Sequence, residues 1–247
     1  MPALLRALIW DVDGTVAETE RDGHRVAFNL AFEAHGLPWH WGVDEYGALL
    51  AVAGGRERLI HYMEQQASAL ASVPKEPSQR DALARQLHLA KNAHYGALVA
   101  RGCIALRPGV QRLMEEARRA GLAQAVATTT SRSNVEALFA SLFGADWERA
   151  FAAVVCAEDA PLKKPHPQVY ERALQRLGLR PEEAFAIEDS PNGLQAARAA
   201  GIACGITRGA YFRGAEFPGA AWVRDDLPVP PAVALAVSGA WAGPRAD

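Results

Sequence analysis

The amino-acid sequence predicts an α/β fold: a parallel sheet covered by helices on both faces, interrupted after its first strand by an all-helical insertion. Short apolar runs bounded by turn or acidic residues recur at 4–10, 123–128, 151–156, 184–187 and 202–206, the pattern of buried strands. From residue 110 onward these runs alternate with helical periodicities, three of them stopped by Gly121, Gly178 and Gly201, where a helix end favours glycine. Between about residues 17 and 100 only helical signals occur. Strand and helix in alternation imply a sheet covered on both sides, and the helical stretch implies a lid over it.

Taken in order, the first strand ends at Asp11 and passes into helical patterns at 26–34, 46–50, 59–70 and 83–98, with Pro74 and Pro77 marking one connection. The expected organisation is a discontinuous core of residues 1–16 and 101–247 and a cap of residues 17–100. In the core, Val110, Leu113, Met114 and Ala117 form one helical face. Val135, Leu138, Phe139 and Leu142 form a second, Tyr170, Ala173, Leu174 and Leu177 a third, and Leu194, Ala197 and Ala200 a fourth. An Ala/Pro/Val-rich tail follows Asp226. A sheet interrupted by a lid places the ligand crevice at the carboxyl ends of the strands.

The balance of 26 Lys and Arg against 28 Asp and Glu argues against a basic nucleic-acid or membrane-surface binder. A chain half apolar and 22% charged does not suit a disordered polymer. The longest uncharged stretch, 227–244, is broken by Pro228, Pro230, Pro231, Gly239, Gly243 and Pro244, so no membrane span is expected. Cys103, Cys156 and Cys204 form no CxxC pair, which suggests neither a zinc motif nor a disulfide framework. A cytoplasmic monomer acting on a small molecule is the expectation, with no nucleic acid or membrane partner.

The chemistry begins at Asp11-Val12-Asp13-Gly14-Thr15. Alternation sends Val12 one way and both carboxylates the other, so two acids emerge together at the edge of a buried strand. Crowded carboxylates need a cation or a shared proton, and a hard ion such as Mg²⁺ fits. An Asp-x-Asp-Gly turn without chemistry is the competing reading. A calcium loop is excluded, because an EF-hand needs a fifth-position acid and a twelfth-position Glu where Thr15 and Asp22 stand.

Three further strand ends add to it. Thr128-Thr129-Thr130-Ser131 puts hydroxyls and backbone N–H groups where a helix begins, an anion cradle or simply an N-cap by Ser131 or Ser133. Lys164, before Pro165, can neutralise a phosphoryl oxygen and a carboxylate together, whereas either Lys163 or Lys164 alone would read as a solvated loop. Glu188-Asp189 supplies a second acidic pair, able to cap the helix near Asn192, to close a metal site, or both.

Asp11-Val12-Asp13-Gly14-Thr15, Thr128, Lys164-Pro165 and Glu188-Asp189 resemble, in one order, the four motifs of the haloacid dehalogenase superfamily. The resemblance covers the chain apart from the tail and implies a Rossmann-like parallel sheet core with a small inserted all-helical cap. The segments 18–25, 54–58 and 106–110 are similar to the CbbY-like sugar-phosphate phosphatases, which remove xylulose 1,5-bisphosphate in carbon fixation. By that resemblance Asp11 is the nucleophile and Asp13 the general acid and base. Mg²⁺ is held by Asp11, the Asp13 carbonyl, Asp189 and Glu188, while Thr128 and Lys164 hold the transferring phosphoryl group. The acid at Asp13 disfavours dehalogenation. A β-phosphoglucomutase shares every one of these motifs and stays open as the alternative; a non-enzymatic binding module would lack one of them. Trp10 stands where relatives usually have Phe, and Arg56 where Lys is frequent.

Gly54-Gly55-Arg56-Glu57-Arg58 opens a cap helix, whose N–H groups and guanidinium groups can bind a second phosphate, with Gly55, Arg56 and Arg58 as candidates. For Arg58 a solvated helix face is an equal reading. Glu18, at the hinge into the cap, is by resemblance a contact for sugar hydroxyls or the general acid, and Thr129 and Thr130 join the substrate site. Lys91, Arg107, Tyr46 and His24 are secondary candidates. Trp39 and Trp41 either line the lid or anchor its core, the commoner fate of paired tryptophans. Hinges are expected near 17–19 and 100–107.

Overall fold

The structure, a computed structural model, describes residues 4–227; the tail after Asp226 lies, apart from Leu227, outside the described residues. A six-stranded parallel sheet has the order β3-β2-β1-β4-β5-β6. Its strands are β1 (Ala7–Trp10), β2 (Ala123–Ala127), β3 (Ala153–Val155), β4 (Ala184–Glu188), β5 (Ala203–Thr207) and β6 (Trp222–Arg224). All five predicted runs are strands, each trimmed or shifted by a residue or more at its ends. β6 is new: three half-buried residues at the end of the short apolar run 220–223, which follows Pro218-Gly219 and pairs with β5.

β1 lies at the centre, pairing with β2 on one side and β4 on the other, so every residue of Ala-Leu-Ile-Trp is buried. Alternation assigns these residues to two cores. Leu8 and Trp10 join Val126, Phe185 and Ile187 beneath α5 (Val110–Arg119) and α6 (Arg132–Phe143). Ala7 and Ile9 join Ala125, Ala127, Ala186 and Cys204 beneath α7 (Gln168–Leu177) and α8 (Pro191–Ala199). Trp10, larger than the usual Phe, brings an indole N–H into the core. Gln124 of β2 accepts it at 3.1 Å and passes its own amide N–H to the Met114 carbonyl at 3.1 Å.

Between β1 and α5 the chain is helical: α1 (Arg25–Ala34), α2 (Val43–Leu49), α3 (Gly55–Gln66) and α4 (Pro77–Ala100). These helices share a separate hydrophobic cluster built on Phe28, Phe32, Trp39, Trp41, Tyr46, Leu59 and Met63. Trp41 is fully buried and Trp39 packs edge-on to Phe32, so both are core anchors of this layer. Tyr211 and Phe212, which follow β5, pack onto the same cluster, with the Tyr211 ring 5.9 Å from that of Tyr46. The sheet order reverses beside β1, so the carboxyl ends of β1 and β4 open into a crevice facing the helical insertion.

Among the described residues no helix is long and apolar enough to cross a membrane.

Candidate active site

Asp11 follows β1 directly and is buried at the mouth of the crevice. Lys164 comes to it from the loop before α7, through a cis Lys164–Pro165 peptide. The Lys164 ammonium donates to Asp11 Oδ1 and Glu188 Oε1, both at 2.6 Å, and to the Ala127 carbonyl at 2.8 Å. Its three donors are thus all used. Tyr170 of α7 also donates to Glu188 Oε1 at 2.6 Å. Asp11, Glu188 and Asp189 each offer a ligand oxygen within 4.8 Å of the others, and all three are buried. Among the described residues no donor reaches Asp11 Oδ2 or the Asp189 carboxylate.

The electrostatics follow from this crowding. Burial, reinforced by the Glu188 charge, pushes Asp11 up to about 7 although Lys164 pulls it down. Burial and the charges of Asp11 and Glu188 drive Asp189 well above the usual carboxylate range. Burial works against the Lys164 charge, but Asp11 and Glu188 outweigh it and lift the ammonium above its ordinary value. Three buried carboxylates facing one ammonium are short of positive charge, and a hard oxygen-seeking dication fits that donor set. The packing is close: a Cβ on Gly14 or Gly209 would collide with the Asp189 carboxylate, and one on Gly193 with that of Glu188.

Asp13 stands apart from this cluster. Its Oδ1 accepts from Thr19 Oγ1 at 2.5 Å and meets His24 Nε2 at 2.9 Å. Residues five apart fall on different sides of an α-helix, but Glu20–His24 forms a π-turn, with the Arg25 N–H bonded to the Glu20 carbonyl. This wider turn lets Thr19 and His24 reach the same oxygen. The His24 ring is stacked on Tyr95, with centroids 4.2 Å apart. Burial alone would raise Asp13, but His24, Thr19 and the charge of Lys91 hold its carboxyl down at about 2.

Two adjoining cavities open here. The first, about 330 Å³, is lined by Asp11, Asp13, Thr128, Lys164, Asp189 and Phe212, among others. The second, about 240 Å³, is lined by Gly55, Arg56, His88, Lys91, Thr130 and Lys163, among others. Asp13, Glu20, Gly54, Arg58 and Thr129 line both. Arg58 is buried, donating from Nη1 to the Tyr46 hydroxyl at 2.8 Å and from Nε to the Leu49 carbonyl at 3.2 Å, which excludes the solvated helix face. Arg56 pairs with Asp81. Lys91 lies over the rings of Phe28 and Tyr95, and burial lowers it to about 8.

Other predicted residues sit elsewhere. Glu18 lines neither cavity; its carboxylate accepts the Ala210 N–H at 3.3 Å. Neither the Ser131 nor the Ser133 side chain caps α6; at this N-terminus the Glu158 carboxylate, 26 residues away, accepts the Arg132 N–H at 3.1 Å. The cap of α8 is Ser190, which accepts from the Gly193 N–H at 3.1 Å, rather than Glu188 or Asp189. The sequence reading passed over Thr19, Glu20 and Tyr170. Glu20 receives the Tyr46 hydroxyl at 2.5 Å and faces both cavities. The density of polar residues just after Thr15 was the available signal.

Residues 5–201 match the family model of the haloacid dehalogenase-like hydrolases. Protein CbbY of Cupriavidus necator is 46% identical over 223 residues, covering 90% of this chain and 86% of that one. CbbY from Rhodobacter sphaeroides in complex with phosphate superposes with a TM-score of 0.83 at 43% identity, over 91% of this chain and 96% of that one. A mutant of that protein in complex with xylulose 1,5-bisphosphate gives 0.83 at 41% identity, with the same coverage. An aspartate at the carboxyl end of the central strand, a lysine spanning two carboxylates and these matches converge, and the chain belongs to the haloacid dehalogenase-like hydrolases as a phosphatase of the CbbY-like group.

Proposed function

We propose that this protein is a Mg²⁺-dependent phosphatase of a sugar bisphosphate, xylulose 1,5-bisphosphate above all, working through an aspartyl-phosphate on Asp11. The observation that carries the reading is the pair of adjoining cavities. One is lined by Asp11, Asp189 and Lys164; the other gathers Arg56, Arg58, Lys91 and Lys163 among the acids Asp13, Glu20, Glu57 and Glu158. A substrate with a phosphate at each end matches Asp11 at one end and a group of four cationic side chains at the other. The complex of a relative with xylulose 1,5-bisphosphate supports the choice of sugar.

Asp11, Glu188 and Asp189, with the Asp13 backbone carbonyl, are the residues that would hold Mg²⁺. Bound there, the ion would offset the repulsion that raises Asp11 and would screen phosphoryl charge. Lys164 occupies Oδ1 of Asp11 and leaves Oδ2 free to attack phosphorus. Lys164, its three donors committed to Asp11, Glu188 and the Ala127 carbonyl, supplies positive charge beside the phosphoryl group, and the Thr128 hydroxyl donates to a phosphoryl oxygen. Asp13, held as a carboxylate by His24 and Thr19, is placed to take a proton from the water that cleaves the aspartyl-phosphate, and it serves the leaving sugar oxygen as general acid only after taking up a proton itself. Glu20 accepts sugar hydroxyls, while Arg56, Arg58 and Gly55, with Thr129 and Thr130, bind the second phosphate. Residues 17–100 act as a cap that excludes bulk water during the reaction.

The test is Mg²⁺-dependent phosphate release from xylulose 1,5-bisphosphate, ribulose 1,5-bisphosphate and β-glucose 1-phosphate. Preference for the xylulose compound, lost in a folded Asp11→Asn variant, is the expected result. Conversion of glucose 1-phosphate to glucose 6-phosphate without phosphate release would instead identify a mutase, and normal turnover by Asp11→Asn would refute the mechanism.

A further inference from the structure

Arg107 lines neither of the two adjoining cavities. It is buried behind the carboxylate cluster, and its guanidinium gathers backbone carbonyls from three segments. Nη1 donates to the Gly14 carbonyl and, at 2.9 Å, to that of Thr207. Nη2 donates to the carbonyls of Arg208 at 2.8 Å and Asp225 at 2.5 Å. Its own backbone N–H is bonded to the Val16 carbonyl at 2.9 Å. A five-donor planar fork suits such a junction, and no other side chain can reproduce it.

The segments joined are the walls of one slot. On one side is Gly14 and on the other Gly209, whose peptide unit carries the Arg208 carbonyl. Both approach so closely that a Cβ on either would collide with the Asp189 carboxylate between them. Asp189 has no donor among the described residues, and the charges of Asp11 and Glu188 repel it. Its position beside those two carboxylates is therefore imposed by the walls rather than by bonds of its own.

We propose that Arg107 is a positioning residue of the metal site: by pinning the Gly14 turn to the end of β5, it sets the slot that holds Asp189 in ligand position. This rests on the reading of Asp11, Glu188 and Asp189 as ligands. Outer groups that orient a ligand typically cost tenfold to a hundredfold in metal affinity when removed, the loss expected here.

The test measures Mn²⁺ binding to the full chain without substrate, from the electron paramagnetic resonance signal of the free ion, alongside metal-free Tm. Arg107→Lys keeps the charge and loses the fork; Arg107→Gln keeps one amide donor, so the result does not hang on one variant folding. Gly209→Ala intrudes on the slot directly, since φ of −66° at Gly209 is open to alanine. The expected result is a rise of about tenfold or more in the Mn²⁺ dissociation constant in the Arg107 and Gly209 variants. A remote core variant with a similar loss of Tm, Phe139→Leu, keeps wild-type affinity. Wild-type affinity in the Arg107 variants overturns the proposal, as does an equal loss in Phe139→Leu. Failure of the wild type to bind Mn²⁺ overturns the metal site itself, a distinguishable outcome.

Discussion

Replacing Lys164 with Met tests the charge balance of the site without reference to substrate. The ammonium is buried and makes three bonds, two of them at 2.6 Å to the carboxylates of Asp11 and Glu188. Methionine fills similar volume but leaves both carboxylates buried and facing each other. Removing one partner of a buried ion pair typically costs about 3–5 kcal/mol. At about 2–4 °C per kcal/mol for a chain of this size, metal-free Tm should fall by about 6–20 °C. Asp11, already at about 7, can escape part of that cost by taking up a proton. The deficit should therefore be largest at pH 8, smaller at pH 5, and reduced by Mg²⁺, which supplies the missing positive charge. Differential scanning calorimetry at the two pH values, with EDTA or Mg²⁺, reads all of these. A metal-free loss below about 3 °C at pH 8 would show that Lys164 does not carry the balance, because it corresponds to about 1 kcal/mol.

The raised carboxyls also predict how the wild type behaves. A carboxyl whose folded value lies above its unfolded 3.8 stabilises the fold below that value, and the contribution is lost as pH rises through the folded value, about 7 for Asp11. Metal-free protein should lose stability from pH 5 to 8, and the Tm gap between Mg²⁺ and EDTA samples should widen over that range; a constant gap would contradict it. In His24→Asn, burial of Asp13 is no longer opposed by the imidazole, so its carboxyl should rise and the alkaline limb of the kcat/KM profile, set by the loss of its proton, should move up by about one unit. An unmoved limb would free Asp13 from His24. Arg56→Ala should lose about tenfold to a hundredfold in kcat/KM on a bisphosphate and much less on a small monophosphate, the range of one charged hydrogen bond. Equal losses on both would place the distal phosphate elsewhere.

What could be read from the sequence was what depends on neighbours along the chain. Alternation through Ala7–Trp10 separated Val12 from Asp11 and Asp13, and periodicity located the four helices of the insertion. What escaped depends on contacts made across the fold. Arg58 turns inward because Tyr46 and the Leu49 carbonyl await it, and Glu158 caps a helix it does not belong to. His24 sits five residues after Thr19, off any α-helical face, so its meeting with the same oxygen of Asp13 requires the π-turn, which no periodicity announces. β6 is a three-residue, half-buried edge strand, too short to show a strand period, and its pairing to β5 is what defines it.

The Trp10–Gln124 pair has a consequence for descent. Phe at position 10 with Gln124 retained leaves a buried amide oxygen without a donor, and an apolar residue at 124 with Trp10 retained leaves the indole N–H without an acceptor. Each single change costs about 1–3 kcal/mol, whereas both together can be nearly neutral. The Trp10–Gln124 pair and an apolar residue at each of the two positions are thus separated by a valley that one substitution at a time crosses only with stability to spare. Positions 10 and 124 should accordingly change together rather than one at a time.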